Sequence, residues 1–163
     1  MGAFEIKEVT EKKEAWDYCQ KLNEYDVQMQ LEYLELFCEY SDQAIVYIAE
    51  NESGFIYLPL IVTPIPETPF YDAQSAYGYS GAYTNLLTNE DIKIGFAQLI
   101  QYLKEAKIIA AFLRFNPLIN SRLEHPQLEL FLDRNVVIYK SSHQSTENIL
   151  KSYRKDVRNK VRK

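Results

Sequence analysis

A chain of 163 residues, 47% hydrophobic and 25% charged, carries apolar matter for one globular core and not comfortably for two. Five glycines and six prolines are too few for a linker-rich or disordered protein, and a net charge of −5 argues against a broad nucleic-acid footprint. The two cysteines, Cys19 and Cys38, fall at apolar positions of helical patterns, so neither a disulfide framework nor a metal site is expected. The N-terminus has no basic flank leading into an apolar stretch, and no segment approaches the roughly 18 apolar residues of a membrane span, which together point to a cytoplasmic protein.

In chain order, the alternation from Phe4 to Val9 predicts a strand. Thr10 then caps an amphipathic helix whose apolar side holds Ala15, Trp16, Cys19 and Leu22. Leu31, Leu34, Phe37 and Cys38 recur at helical spacing, so a second helix is expected from about Leu31 to Tyr40, with Met29 and Tyr33 padding its face. Two β-rich runs, Gln43 to Glu50 and Gly54 to Ile65, flank the turn residues Asn51-Glu52-Ser53-Gly54 and predict an antiparallel hairpin. Pro59, Pro64 and Pro66 mark the second of these strands as an edge, or push its later part out of the sheet.

After a long aromatic loop, Asn89 caps a helix running to about Lys107, with Glu90 and Asp91 in its first turn and Ile92, Phe96, Leu99, Ile100 and Leu103 on its buried side. The apolar run from Ile108, ending on Arg114 and Phe115, reads as a strand buried on both faces and closed by Asn116-Pro117. A short helix near Gln127 to Leu132, a strand from Asn135 to Lys140 and a final helix capped by Ser145 complete the chain. The order βααββαβαβα predicts an α/β or α+β layered domain, a mixed sheet flanked by helices, over residues 1–144, followed by a basic helix over 145–163.

Three segments carry candidate chemistry. Between Pro69 and Tyr83 lie four tyrosines, Tyr71, Tyr77, Tyr79 and Tyr83, with Asp72, Gly78 and Gly81. Tyrosine offers a flat apolar face with a hydroxyl, and glycine permits positive φ or close approach, which suits a groove for an extended substrate as well as it suits an aromatic-packed sheet edge. Arg114 closes an apolar strand and needs a carboxylate, a phosphate or water; a structural ion pair is the first expectation. In the tail, Arg154, Arg158 and Arg162 stand at i, i+4 and i+8, a stripe that could clamp a phosphate-bearing ligand or simply complement a helix end. His125 and His143 have no nucleophile motif beside them, Glu32 and Glu35 read as a solvated helix face, and neither a P-loop nor a glycine-rich turn for coenzyme A pyrophosphate occurs.

Taken in order, Tyr71-Asp72, Tyr77-Gly78-Tyr79-Ser80-Gly81, Arg114-Phe115-Asn116-Pro117-Leu118 and Tyr153-Arg154 through Lys163 resemble the first domain of FemAB-type peptidyltransferases within the GNAT acyltransferase superfamily. Ser80-Gly81-Ala82 departs from the Gly-Gly-Pro often found there, and Asn116 stands where histidine is frequent. The resemblance implies a GNAT-like lobe, with the basic helix leading into a second lobe beyond Lys163. It also implies an acceptor-binding role for Asp72, Tyr77, Gly78, Tyr79, Gly81, Arg114, Arg154, Arg158 and Arg162, while the catalytic group is left unassigned. The acceptor would be anionic or peptide-bearing, for instance a peptidoglycan precursor. The piece itself would carry no cofactor, and aminoacyl-tRNA or acyl-CoA would serve the full protein as donor. A non-catalytic peptide or glycopeptide binding module and an acyl-CoA-dependent N-acetyltransferase are the alternative expectations.

Overall fold

The alternating Ile, Val and Tyr residues on either side of Asn51-Glu52-Ser53-Gly54 form the hairpin on which the described part of the chain is built. In the computed structural model, which describes residues 3–116 with Ser145, Glu147, Asn148, Lys151 and Lys155, β2 (Gln43–Asn51) and β3 (Gly54–Pro64) pair antiparallel from Asn51↔Gly54 to Gln43↔Val62. Ser53 N donates to Asn51 Oδ1 at 2.8 Å across the turn, and Gly54 supplies a φ of +145° that other residues rarely adopt. β1 (Glu5–Val9) adds antiparallel to β2. On the other side β4 (Tyr71–Gln74) and β5 (Tyr83–Thr84) both pair antiparallel with β3, and β6 (Ile108–Phe112) runs parallel to β4. The result is a six-stranded mixed sheet in the order β1-β2-β3-β4-β6, with β5 also on β3.

Because side chains alternate across a strand, the two central strands are apolar on both faces. Ile45, Tyr47 and Ala49 of β2 with Ile56, Leu58, Leu60 and Val62 of β3 pack under α3 (Asn89–Glu105) through Phe96, Leu99 and Leu103. The opposite set, Val46, Ile48, Phe55 and Tyr57, packs under α1 (Lys12–Cys19) and a 3-10 turn (Val27–Met29) through Ala15, Tyr18, Cys19 and Met29, with Leu31 from α2 (Leu31–Glu35). A sheet between helical layers is therefore the observed architecture, and the expected α+β class with a mixed sheet holds. Gly95 lets α3 lie close on the sheet, since a Cβ there would stand 2.9 Å from Phe4 Cε1 and 3.1 Å from Ile56 Cδ1.

The chain divides into two units, Met1–Glu129 and Leu130–Lys163. In the second, Ser145 Oγ accepts from Asn148 N at 3.3 Å, the cap expected for a final helix, and Lys151 bridges Glu147 at 2.9 Å. The expected elements at 127–132 and 135–140, His125 and His143, and the stripe Arg154, Arg158 and Arg162 lie outside the described residues.

Several local expectations are corrected. Thr10 does not cap α1. The chain stays extended through Glu11, whose side chain makes no capping bond, and the helix is held instead by burial of Ala15, Tyr18 and Cys19 and by the Lys7–Glu14 and Lys12–Glu35 bridges. The second helix stops at Glu35 instead of Tyr40: beyond Leu34 the apolar side chains Leu36, Phe37 and Tyr40 are exposed, so no core contact draws the helix onward. Thr88, not Asn89, caps α3, its Oγ1 accepting from Asp91 N at 3.0 Å.

Proline was expected to place β3 at an edge or to push its later part out of the sheet, yet β3 is central and stays paired as far as Pro64. The ladder explains how. Phe55 N and O both bond toward the β5 side, to Asn85 and Thr84, so odd-numbered residues of β3 face that side. Pro59 then faces the stretch between Tyr57, paired with β5, and Ile61, paired with β4, where no strand partner stands. Its missing N–H removes no ladder bond. Finally, β6 is not buried on both faces. Among the described residues it ends the strand order, and Ile109 and Phe112 are exposed.

Candidate functional site

The aromatic loop is better ordered than its composition suggests, because it contributes β4 and β5 and a tight turn between them. Gly78 takes a φ of +99° at the head of that turn, the conformational use expected of one of its glycines. Gln28, presented by the 3-10 turn, accepts from Tyr79 N at 2.6 Å. Tyr33 Oη donates to the Tyr77 carbonyl at 3.0 Å, and Tyr83 Oη donates to the Tyr79 carbonyl at 2.7 Å. With its backbone held from three directions, the turn leaves the rings of Tyr77 and Tyr79 exposed. Gly81 serves close packing instead: a Cβ there would stand 2.9 Å from Phe115 Cδ1 and 3.1 Å from the Arg114 carbonyl oxygen.

Arg114 is drawn into the same region. Its backbone N donates to Ser75 Oγ and its Nη1 to the Ser75 carbonyl, both at 3.2 Å, while the guanidinium lies 4.8 Å over the Phe112 ring. The expected ion pair is absent among the described residues; carbonyl and ring contacts take its place. This buckle joins the end of β6 to the end of β4.

Strand register gathers the remaining residues. Asp72 pairs with Thr63 on one side and Ala110 on the other, and Gln74 pairs with Phe112. Cross-strand partners share a face, so Asp72, Gln74, Ala110 and Phe112 stand together on the sheet face that α1 and α2 cover further along. All four are exposed. Arg114, stacked on Phe112, borders the same surface, and the Tyr77–Tyr79 turn follows directly from it. The structure therefore brings Asp72, Tyr77, Gly78, Tyr79, Gly81 and Arg114 to one end of the sheet. No family model, curated protein or solved structure matches this chain. The geometry alone carries what can be said of the site.

That geometry offers a carboxylate, a guanidinium and exposed tyrosine rings along an exposed strand surface, a set suited to holding polar, extended ligands by their ends and by stacking. Among the described residues no group of three or more His, Cys, Asp or Glu side chains is arranged to hold a metal ion, and no helix is long and apolar enough to cross a membrane. Sequence reasoning missed Gln28 and Ser75, which position the loop and the arginine. Ser75 stood inside the quoted motif region, but no local signal marked Gln28, which acts across 51 positions of sequence.

Ser80, in the middle of the Tyr-Gly-Tyr-Ser-Gly segment, is fully buried, and among the described residues its Oγ is the one buried side-chain polar atom without a hydrogen-bond partner. An unmet hydroxyl costs about 1–3 kcal/mol. Ser80→Ala is accordingly expected to raise stability by about 1 kcal/mol in urea unfolding. A loss of stability instead would mean that the hydroxyl is bonded.

Proposed function

We propose that this chain is the acceptor-binding portion of an N-acyltransferase or aminoacyltransferase of FemAB type, with the uncovered strand surface beside Asp72 and Arg114 as the acceptor site. The supporting observation is the gathering of motif residues separated by more than forty positions, Tyr71-Asp72, Tyr77 to Gly81 and Arg114, onto one end of one sheet through the parallel β4–β6 pairing. Amide formation by an amine attacking an activated carbonyl calls for orientation more than for a protein nucleophile, and this surface is suited to orienting. Arg114 would hold a carboxylate or phosphate of the acceptor, Asp72 a donor group of its peptide, and the tyrosine rings its flat or apolar parts. The leaving group is the ribose hydroxyl of an aminoacyl-tRNA or the thiol of an acyl-CoA, and its binding belongs to the full protein.

The test is a calorimetric titration with a nucleotide-linked muramyl pentapeptide, a peptidoglycan precursor. Arg114→Met and Asp72→Asn are each expected to lower affinity on the order of tenfold or more, as removal of a charged hydrogen-bond partner does. Arg114→Lys should not restore binding, because a point charge replaces a planar fork that stacks on Phe112. Equal affinity in the wild type and both variants would remove these residues from the site.

A further inference from the structure

Beside that surface lies a second feature with a different chemistry. The rings of Tyr33, Phe37 and Tyr77 form a row, with centroids 5.2 Å apart from Tyr33 to Phe37 and 6.3 Å from Phe37 to Tyr77. Phe37 is 39% exposed and Tyr77 73% exposed, whereas Tyr33 is half-buried and ties its hydroxyl to the Tyr77 carbonyl. The row is thus pre-positioned, and two of its three residues are exposed. Its sequence neighbourhood is acidic, while Arg114, at the same end of the sheet as Tyr77, is turned to the Ser75 carbonyl. Between Lys21 and Lys93 the sequence contains no lysine or arginine, and the segment bearing Tyr33 and Phe37 carries Glu32, Glu35, Glu39 and Asp42. Against these, Lys12 bridges Glu35 at 2.7 Å.

We infer that the Tyr33–Phe37–Tyr77 row is a docking surface for an extended peptide carrying lysine-type ammonium groups. Ring faces are the negative pole of an aromatic quadrupole and attract alkylammonium groups, and surrounding carboxylates raise the local concentration of cations. An anionic or purely apolar partner would meet the same carboxylates unfavourably or indifferently. The 6.3 Å between the Phe37 and Tyr77 rings is close to the ~6.7 Å between residues i and i+2 of an extended strand, which project on one side, so two successive alternate side chains can each meet one of these exposed rings. The inference shares Tyr77 with the transferase reading but rests on the ring row and its acidic setting, and Phe37, which lies outside the acceptor site, tests it separately: loss of lysine-peptide binding in Phe37→Leu with muramyl-peptide binding kept tells the two apart.

The probe is a short peptide with lysine at alternate positions, compared with the same peptide carrying norleucine or glutamate there, each followed by NMR of the aromatic ring protons. The lysine peptide is expected to shift the Tyr33, Phe37 and Tyr77 rings, to bind several-fold tighter than the norleucine peptide, and to weaken as salt rises. Phe37→Leu and Tyr77→Leu keep apolar area but remove the ring, and each should weaken binding by about 2–30-fold; Phe37→Trp should preserve or tighten it. Equal binding of lysine and norleucine peptides would overturn the inference, because the surface would then be merely apolar. Undiminished lysine binding in the double leucine variant would also overturn it, assigning the attraction to the acidic body at large.

Discussion

Raising the pH beyond about 10, the ordinary value for a phenol, is expected to unfold this protein without denaturant. Tyr47, Tyr57 and Tyr83 are at most 2% exposed, and burial pushes all three phenols well above that value. Above about pH 10 the unfolded chain releases protons that the folded chain keeps, so stability falls as pH rises, by about 1.4 kcal/mol per pH unit for each phenol. Three such phenols give a slope of about 4 kcal/mol per pH unit, against a typical total of about 5–15. Lys7, raised chiefly by its hydrogen bond with Tyr18, acts in the same direction, since its stabilisation also fades at high pH. Phenolate absorbance and far-UV circular dichroism followed together should show the phenolates of Tyr47, Tyr57 and Tyr83 appearing only with the loss of structure. A single smooth titration of all thirteen tyrosines with unchanged dichroism would contradict this.

The second large effect is expected at Tyr57, which is fully buried at the centre of β3 with its hydroxyl 2.8 Å from the Met29 carbonyl. Tyr57→Ala should cost about 3–5 kcal/mol through the cavity left under α1 and the 3-10 turn, whereas Tyr57→Phe should cost about 1–2 kcal/mol by leaving that carbonyl without its donor. The two substitutions separate packing from hydrogen bonding. Tyr57→Phe has a further consequence: the same 3-10 turn presents Gln28 to Tyr79 N, so hydrogen exchange at the Tyr79 amide should quicken. Unchanged exchange there would show that the turn holds its position without Tyr57.

Much of this fold was legible because its central pieces obey one local rule at a time. The β2–β3 hairpin combines period-two apolar runs with Asn-Glu-Ser-Gly turn residues, and α3 combines a cap, first-turn acids and a clean apolar stripe. Failure came where tertiary partners decide. Residues 36–40 have helical spacing but no core to meet, and Pro59 reads as an edge residue although it sits in a central strand, at a place where the ladder is empty on one side. Tyr71–Gln74 and Tyr83–Thr84 are too short to show periodicity and become strands only because β3 offers them hydrogen bonds.

The site was legible in part for the same reason. Asp72, Tyr77, Tyr79 and Arg114 could be singled out as residues, since glycine-tyrosine clusters and a charge closing an apolar run are visible locally. Their meeting depends on the parallel register of β4 and β6, which is long-range, and among the described residues Arg114 meets a carbonyl and a ring instead of a carboxylate. Gln28 and Phe37 belong to the region through contacts with Tyr79 and Tyr77 that no spacing announces.

The most direct test of the acceptor-site reading is amide hydrogen exchange of the protein with and without a saturating nucleotide-linked muramyl pentapeptide. Slowing confined to residues 71–82 and 112–116 is the result expected. Absence of saturable binding, or protection elsewhere, such as along α3, with residues 71–82 unaffected, would contradict the account.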